Sequence, residues 1–399
     1  MKQIFLFFFL LSITNTGAQA YDLLVVKDDT KQHPKDLSLH IENLSFIKNN
    51  EYFNLIADGY TLLGNKINID LTYQPHKNYE ITGGLMLLKY YGQEKIDAFI
   101  PYFSLDIQKG NHRYIFGKLA TNDRHWLPVQ LYNFERLLDK RSIENGLEHR
   151  YHNRHWQTDT WLEWEHFIHK NDRHRERLNF GHSTHLTFLS NNWEIKIPLH
   201  LYIHHRGGQI NLHQQNNKLN NALIVSNASA GFSVAKKFNK QFQTGILTQY
   251  FIHHINSNNT EEYIFREGSA YQWQFFIKNK NWEVDLNYWK SKRFVSVKGD
   301  DMFQSVSQRV DKYLDDEGHP IPVFSSYSEP NRQLLYGNIG YKKEIIENLY
   351  LAFSTGIYYQ LNESQISTSV YSASLKNQID YNMGLYLIYK FDYRLLQIK

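Results

Sequence analysis

Residues 156–169 read WQTDTWLEWEHFIH, and their side-chain parity restricts the fold more than any other feature of the chain. In an extended backbone, Trp156, Thr158, Thr160, Leu162, Trp164, His166 and Ile168 share one face. Gln157, Asp159, Trp161, Glu163, Glu165, Phe167 and His169 share the other, because successive side chains of a strand point to opposite sides. A helix would set Glu163 beside Phe167 and Leu162 beside His166, mixing apolar with charged groups. The stretch therefore predicts a strand with one apolar face and one densely charged face. The pattern recurs from Trp193 to Arg206, Phe242 to His253, Trp282 to Trp289 and Met383 to Asp392. Strands of about ten residues exceed the usual soluble length and match what a tilted strand needs to cross a bilayer.

The connections between strands divide into two classes. Tight polar turns are expected at 74–78, 108–111, 152–154, 190–192, 238–240, 279–281 and 343–346. Long connections run over 121–141, 207–220 and 295–332. Short turns on one side and long loops on the other mark a bacterial outer-membrane barrel. Inside a bilayer every backbone group must be paired, so the sheet must close. The expected fold is all-β: a transmembrane antiparallel up-and-down barrel of 14–16 strands, with short periplasmic turns and long extracellular loops. Its first strand is expected near Leu37–Lys48 and its last near Asn382–Tyr393. A barrel of that size leaves an interior its own side chains do not fill.

The first twenty residues read as a cleaved Sec signal peptide: Lys2, an apolar run from Ile4 to Ile13, then Ala18-Gln19-Ala20. Residues 21–36 are then an N-terminal periplasmic segment and 37–399 the barrel. The chain has no cysteine, which fits export without reliance on disulfides. A net charge of +4 over 399 residues argues against nucleic acid as a partner. The leader, the alternating strands, the unequal connections and a last strand ending in aromatics (Tyr386, Tyr389, Phe391, Tyr393) together resemble porin-like outer-membrane β-barrels of the Bacteroidetes type. That resemblance implies residence in the outer membrane, with lipid around the barrel.

The charged faces supply the candidate site. Glu144, Glu148, Arg150, Asp159, Glu163, Glu165, Arg177, His185, Glu194, Lys196, His200, His204 and Arg206 are expected to line the lumen, where charged rings set selectivity. Trp156, Trp193, Trp282, Tyr389 and Phe391 are expected at the membrane interface, where an apolar ring with a polar tip is favoured. Within the long connection after Thr121, Leu127, Leu131, Phe134 and Leu138 recur at helical spacing, so an amphipathic helix is expected in or over the mouth. Farther on, His319-Pro320-Ile321-Pro322 predicts a stiff extended piece in a surface loop.

Twelve of the twenty histidines lie between His149 and His213, including His149-x-x-His152-x-x-His155. On a strand that spacing puts neighbours on opposite faces, so no metal site is expected. Nucleophilic catalysis needs nucleophile and base in hydrogen-bond reach. Ser183 with His185, or Asp159 and Glu163 with His169, are the candidates, and nothing local positions a third group. The expectation is therefore a porin-like barrel that passes small polar solutes and is not an enzyme, with no cofactor. A non-conducting subunit of a larger assembly, partnered by other outer-membrane proteins or surface lipoproteins, is the alternative. A barrel hydrolase is the third.

Overall fold

The computed structural model describes residues 23–25, 34–169, 172, 175–207, 222–239, 241–257, 265–307, 310–314, 320–324, 327–362, 364–367, 372–375 and 378–397. The signal peptide expected over 1–20 lies outside them, as does His319. Sixteen strands form one closed antiparallel barrel. In chain order they are β1 Asp36–Glu51, β2 Tyr60–His76, β3 Tyr79–Tyr90, β4 Ala98–Lys109, β5 His112–Lys118, β6 Asn145–His152, β7 Trp156–His166 and β8 Arg177–Ser190. They continue as β9 Trp193–Arg206, β10 Leu223–Lys237, β11 Gln243–Ser257, β12 Glu267–Lys278, β13 Trp282–Lys292, β14 Asn331–Ile346, β15 Leu349–Gln360 and β16 Ile379–Gln397.

Closure is made by β1 against β16, in register from Asp36↔Gln397 to Glu51↔Tyr381. Both ends of the barrel chain therefore meet at the rim that carries the tight turns. The last of those turns falls at Glu347-Asn348 rather than 343–346, because β14 stays paired through Ile346, with a register shift between Glu344 and Ile346. Asn348 takes φ 63° there. Among the described residues no helix is long and apolar enough to cross a membrane; the crossing is made by strands. The protein is an outer-membrane β-barrel.

Alternation sorts the wall into two surfaces. Leu385, Leu387, Tyr389, Phe391 and Trp164 are exposed on the outside. Tyr386, Ile388, Asp159 and Trp161 are buried on the inside. Trp156, Trp193 and Trp282 each begin a strand directly after a tight turn and are exposed. Their rings meet Tyr151 at 5.4 Å, Lys236 at 5.4 Å and Tyr341 at 4.5 Å respectively.

Among the described residues, much of the interior is packed. A single apolar cluster crosses the barrel, with wall residues from around its circumference: Phe46, Met86, Tyr102, Trp161, Tyr202, Phe251, Trp289, Tyr336, Tyr358 and Tyr386. Two long loops fill the space between them. The loop of residues 119–144 contributes Leu127, Leu131, Tyr132, Phe134, Leu137 and Leu138, and the loop after β13 contributes Phe294, Met302 and Phe303. Leu23 and Leu24, from the segment expected to be periplasmic, also pack in this cluster. The Val25 carbonyl accepts from Lys342. Wall side chains alone leave a void in a barrel this wide, and the loops take it up.

The amphipathic helix expected in the 119–144 loop is absent. Three short 3-10 turns stand in its place, at Arg124–Trp126, Phe134–Leu138 and Lys140–Ser142. The apolar spacing was real, since Leu127, Leu131, Phe134 and Leu138 are all buried. However, the lumen wall surrounds the loop, so burial no longer requires a single helical face. Pro320–Phe324 pairs with Val310–Leu314 in a separate hairpin.

Candidate functional site

Two polar clusters are held by the 119–144 loop. The first lies deep in the barrel. Gly117, at φ +100°, is the penultimate residue of β5, where an added Cβ would meet Phe103 O at 2.1 Å, and the chain then turns inward. Arg124, His125 and Trp126 follow with φ of 55°, 52° and 58°. Three consecutive non-glycine residues in the left-handed region are strained, by about 1–3 kcal/mol each, and persist only where surroundings over-determine them.

The surroundings here are carboxylates and an indole. His125 Nδ1 lies 3.0 Å from Asp159 Oδ2 and its Nε2 3.1 Å from Glu144 Oε2. Its ring stacks on Trp161 at 3.9 Å and 6°. Gly181 sits opposite Trp161 in the register, where a Cβ would come within 2.0 Å of the indole. Arg150 bridges Glu148 at 2.5 Å, Asp159 at 2.9 Å and Asp123 at 2.7 Å. Lys298, from the loop after β13, reaches Glu144 at 2.7 Å and also pairs with Glu163. His125, Glu148 and Asp159 could offer a metal three ligand atoms within 4.8 Å of one another. The Arg150 guanidinium already occupies both carboxylates, so the cluster latches the loops to the wall.

The other charged positions of the wall are distributed as follows. Glu165 accepts from Asn179 at 2.9 Å, and His204 meets the same Asn179 at 2.7 Å. Glu194 pairs with Lys196 at 2.9 Å and Lys237 at 2.6 Å. Arg177 and Arg206 stand opposite each other at the loop-side ends of β8 and β9. Ser183 does not meet His185; its Oγ lies 3.3 Å from His200 Nδ1. His169 is exposed and its backbone N–H donates to Asp172, and it is not among the partners of Asp159 or Glu163.

The second cluster lies at the loop-side mouth. Glu135, presented by the turn Phe134–Leu138, accepts from Asn50 Nδ2 at 2.6 Å and from the Tyr60 hydroxyl. Lys48 Nζ stands 3.9 Å away. Glu135 is only 7% exposed, whereas Tyr60 is 42% exposed, so the buried carboxyl is linked to the surface through one hydroxyl. Burial pushes the Glu135 carboxyl up to about 7, against the opposing pull of Lys48 and with the help of Asp300. Asp301 is likewise pushed to about 7 by burial and by Asp300, Glu135 and Asp58. The rim is fixed by Asp380, which accepts from the backbone N–H groups of Phe53 at 2.6 Å and Asn54 at 3.2 Å. A carboxyl tuned near neutrality beside a hydroxyl and an ammonium can move protons at physiological pH.

The family model of the lipid A 3'-O-deacylase type matches residues 28–398. The chain belongs to the lipid A 3'-O-deacylase-type family. That membership overturns the expectation that the protein is not an enzyme, since the family is described by a hydrolytic activity. The groups gathered at the mouth were not among the sequence candidates, because they come from strands and loops far apart in the chain. No curated protein matches the sequence. Among solved structures, OmpT of Vibrio cholerae is similar at 8% identity and TM-score 0.47, covering 91% of this chain and 100% of that one. An anion-selective porin from Comamonas acidovorans is similar at 8% identity and TM-score 0.48, with 89% and 100% covered. OprD from Pseudomonas aeruginosa gives 8%, 0.46, 91% and 95%. Likenesses this remote say nothing about what the chain acts on.

Proposed function

We propose that the protein is an outer-membrane hydrolase that releases an ester-linked acyl chain from a lipid A-type glycolipid, with Glu135 as the proton-transfer group. The observation that carries the reading is the buried Glu135 carboxyl, raised to about 7 and joined to the surface by Tyr60 at the outer mouth. The family's printed description supplies the substrate class. In the reaction, ionised Glu135 takes a proton from water as its oxygen attacks the acyl carbonyl carbon. Negative charge then develops on the carbonyl oxygen, and Asn50, Tyr60 and Lys48 are the nearby donors able to stabilise it. Collapse breaks the ester C–O bond, and the proton held by Glu135 passes to the leaving alkoxide. The products are a fatty acid and a free hydroxyl.

Passage of solutes has less support, because the apolar cluster and the two loops occupy much of the barrel interior. A polar vestibule of about 560 Å³ is lined by Glu42, Asp70, Asp106, Arg113 and Lys390 together with Ala120, Asp123 and Arg150. The test is mass spectrometry of lipid A incubated with the purified barrel in detergent micelles. Loss of one acyl chain with wild type and none with Glu135→Gln is expected. Intact lipid A with the folded wild type, or full turnover by Glu135→Gln, would overturn the reading.

A further inference from the structure

On the opposite wall from the mouth cluster, β8 and β9 bring two histidines together that the proposed hydrolysis does not use. His185 and His200 face each other with ring centroids 5.4 Å apart and planes at 87°. They are 9% and 4% exposed. The Nε2 atom of each is buried with no hydrogen-bond partner among the described residues. Buried polar groups are rarely left unpaired, so two on facing rings need an account. We propose that His185 and His200 bind a transition-metal ion that prefers imidazole nitrogen, with Zn(II) as the representative ion.

Three features of the pair support this. Two imidazoles that share one ion through Nε2, at about 2.0–2.1 Å each, place their ring centroids roughly 5–6 Å apart, and perpendicular planes are compatible with that. The observed spacing falls in this range. Ser183 Oγ lies 3.3 Å from His200 Nδ1. A proton on Nδ1 donated to that oxygen leaves the Nε2 lone pair free, the outer contact by which metal-ligating histidines are oriented. The charge of a bound cation also has a counterpart nearby. Asp159 stands opposite Ser183 in the register, and Ser183 stands opposite His200. Asp159 Oδ1 is buried with no partner among the described residues, while its Oδ2 is held by His125 and Arg150. The imidazoles would supply two first ligands, with water in the remaining positions and Asp159 as the outer anion. His204 on the same face of β9 is different, since its Nδ1 meets Asn179 at 2.7 Å.

The test is Zn(II) titration of the full refolded barrel by calorimetry, comparing wild type, His204→Gln, and the double variant His185→Gln/His200→Gln. Exposed histidines elsewhere bind metal weakly in all three, so the difference is what is read. Wild type and His204→Gln are expected to share one tight site that the double variant lacks, with affinity reduced at least about tenfold. X-ray absorption of the loaded wild type should show two imidazole ligands. Heat-modifiable gel migration establishes that the double variant is folded, and single variants replace it where it is not. Equal binding by wild type and folded variants, or no tight site in wild type, overturns the proposal. Because binding is read without any lipid substrate, its failure is separate from failure of the hydrolase reading.

Discussion

At the scale of single residues, the role proposed for Glu135 sets an expected pH response. Its carboxyl is ordinarily near 4.5 and is held at about 7 by burial. As the proposed base it must be ionised, so acyl release should rise as pH passes through about 7 and level off above it. Initial rates between pH 5 and 9 test this, and a profile flat across that window would remove Glu135 from the role. The same shift has a stability consequence of definite sign. A folded-state value above the unfolded one means the fold prefers the neutral carboxyl. The contribution is full below about 4.5 and is lost as pH rises through about 7. Glu135→Gln should therefore escape that loss, and its unfolding midpoint in urea should vary less than that of wild type between pH 5 and 8.

At the scale of elements, the two lumen loops are held by charges rather than by secondary structure. Lys298 is buried between Glu144 and Glu163, and both carboxylates are buried with it. Lys298→Met would leave that pair without its cation, which costs about 3–5 kcal/mol when one partner of a buried ion pair is removed. Urea unfolding followed by gel migration should show the loss. Adding Glu163→Gln should recover part of it, whereas additive losses would mean that the two side chains do not interact. The strand wall offers a complementary measurement. Leu162 lies on the lipid-facing parity of β7, between buried Trp161 and buried Glu163. Leu162→Arg should cost about 2–4 kcal/mol if the site is near the midplane. Stability unchanged in lipid vesicles would place that side chain out of the hydrocarbon.

At the scale of the whole molecule, a sixteen-strand wall encloses a packed interior. The full chain in a planar bilayer should show no steady conductance steps. Replacing residues 121–142 by a short Gly/Ser link removes Leu127, Leu131, Phe134 and Leu138 from the lumen, and discrete steps should then appear. Steps of equal size in both forms would mean that the 119–144 loop is not what closes the barrel. The wall is a common support, and what the loops place inside and above it separates one activity from another.

Local chemistry was enough to determine the wall. Period-two alternation in stretches such as 156–169 and 193–206, with tight turns between, dictates long strands that are apolar on one side. A bilayer then forces those strands to close, because no edge is tolerated in hydrocarbon. The faces were legible for the same reason: Asp159, Glu163, His200 and His204 share parity with their buried neighbours Trp161 and Tyr202. The contents of the lumen were not legible. His125 meets Glu144, Glu148 and Asp159 only because a loop turns back into the barrel through three left-handed residues. Lys298 lies 154 residues from Glu144, and Glu135 lies 85 from Asn50 and 75 from Tyr60. Such contacts have no local period to announce them. They depend on where the closed wall leaves space, which no segment of the sequence specifies by itself.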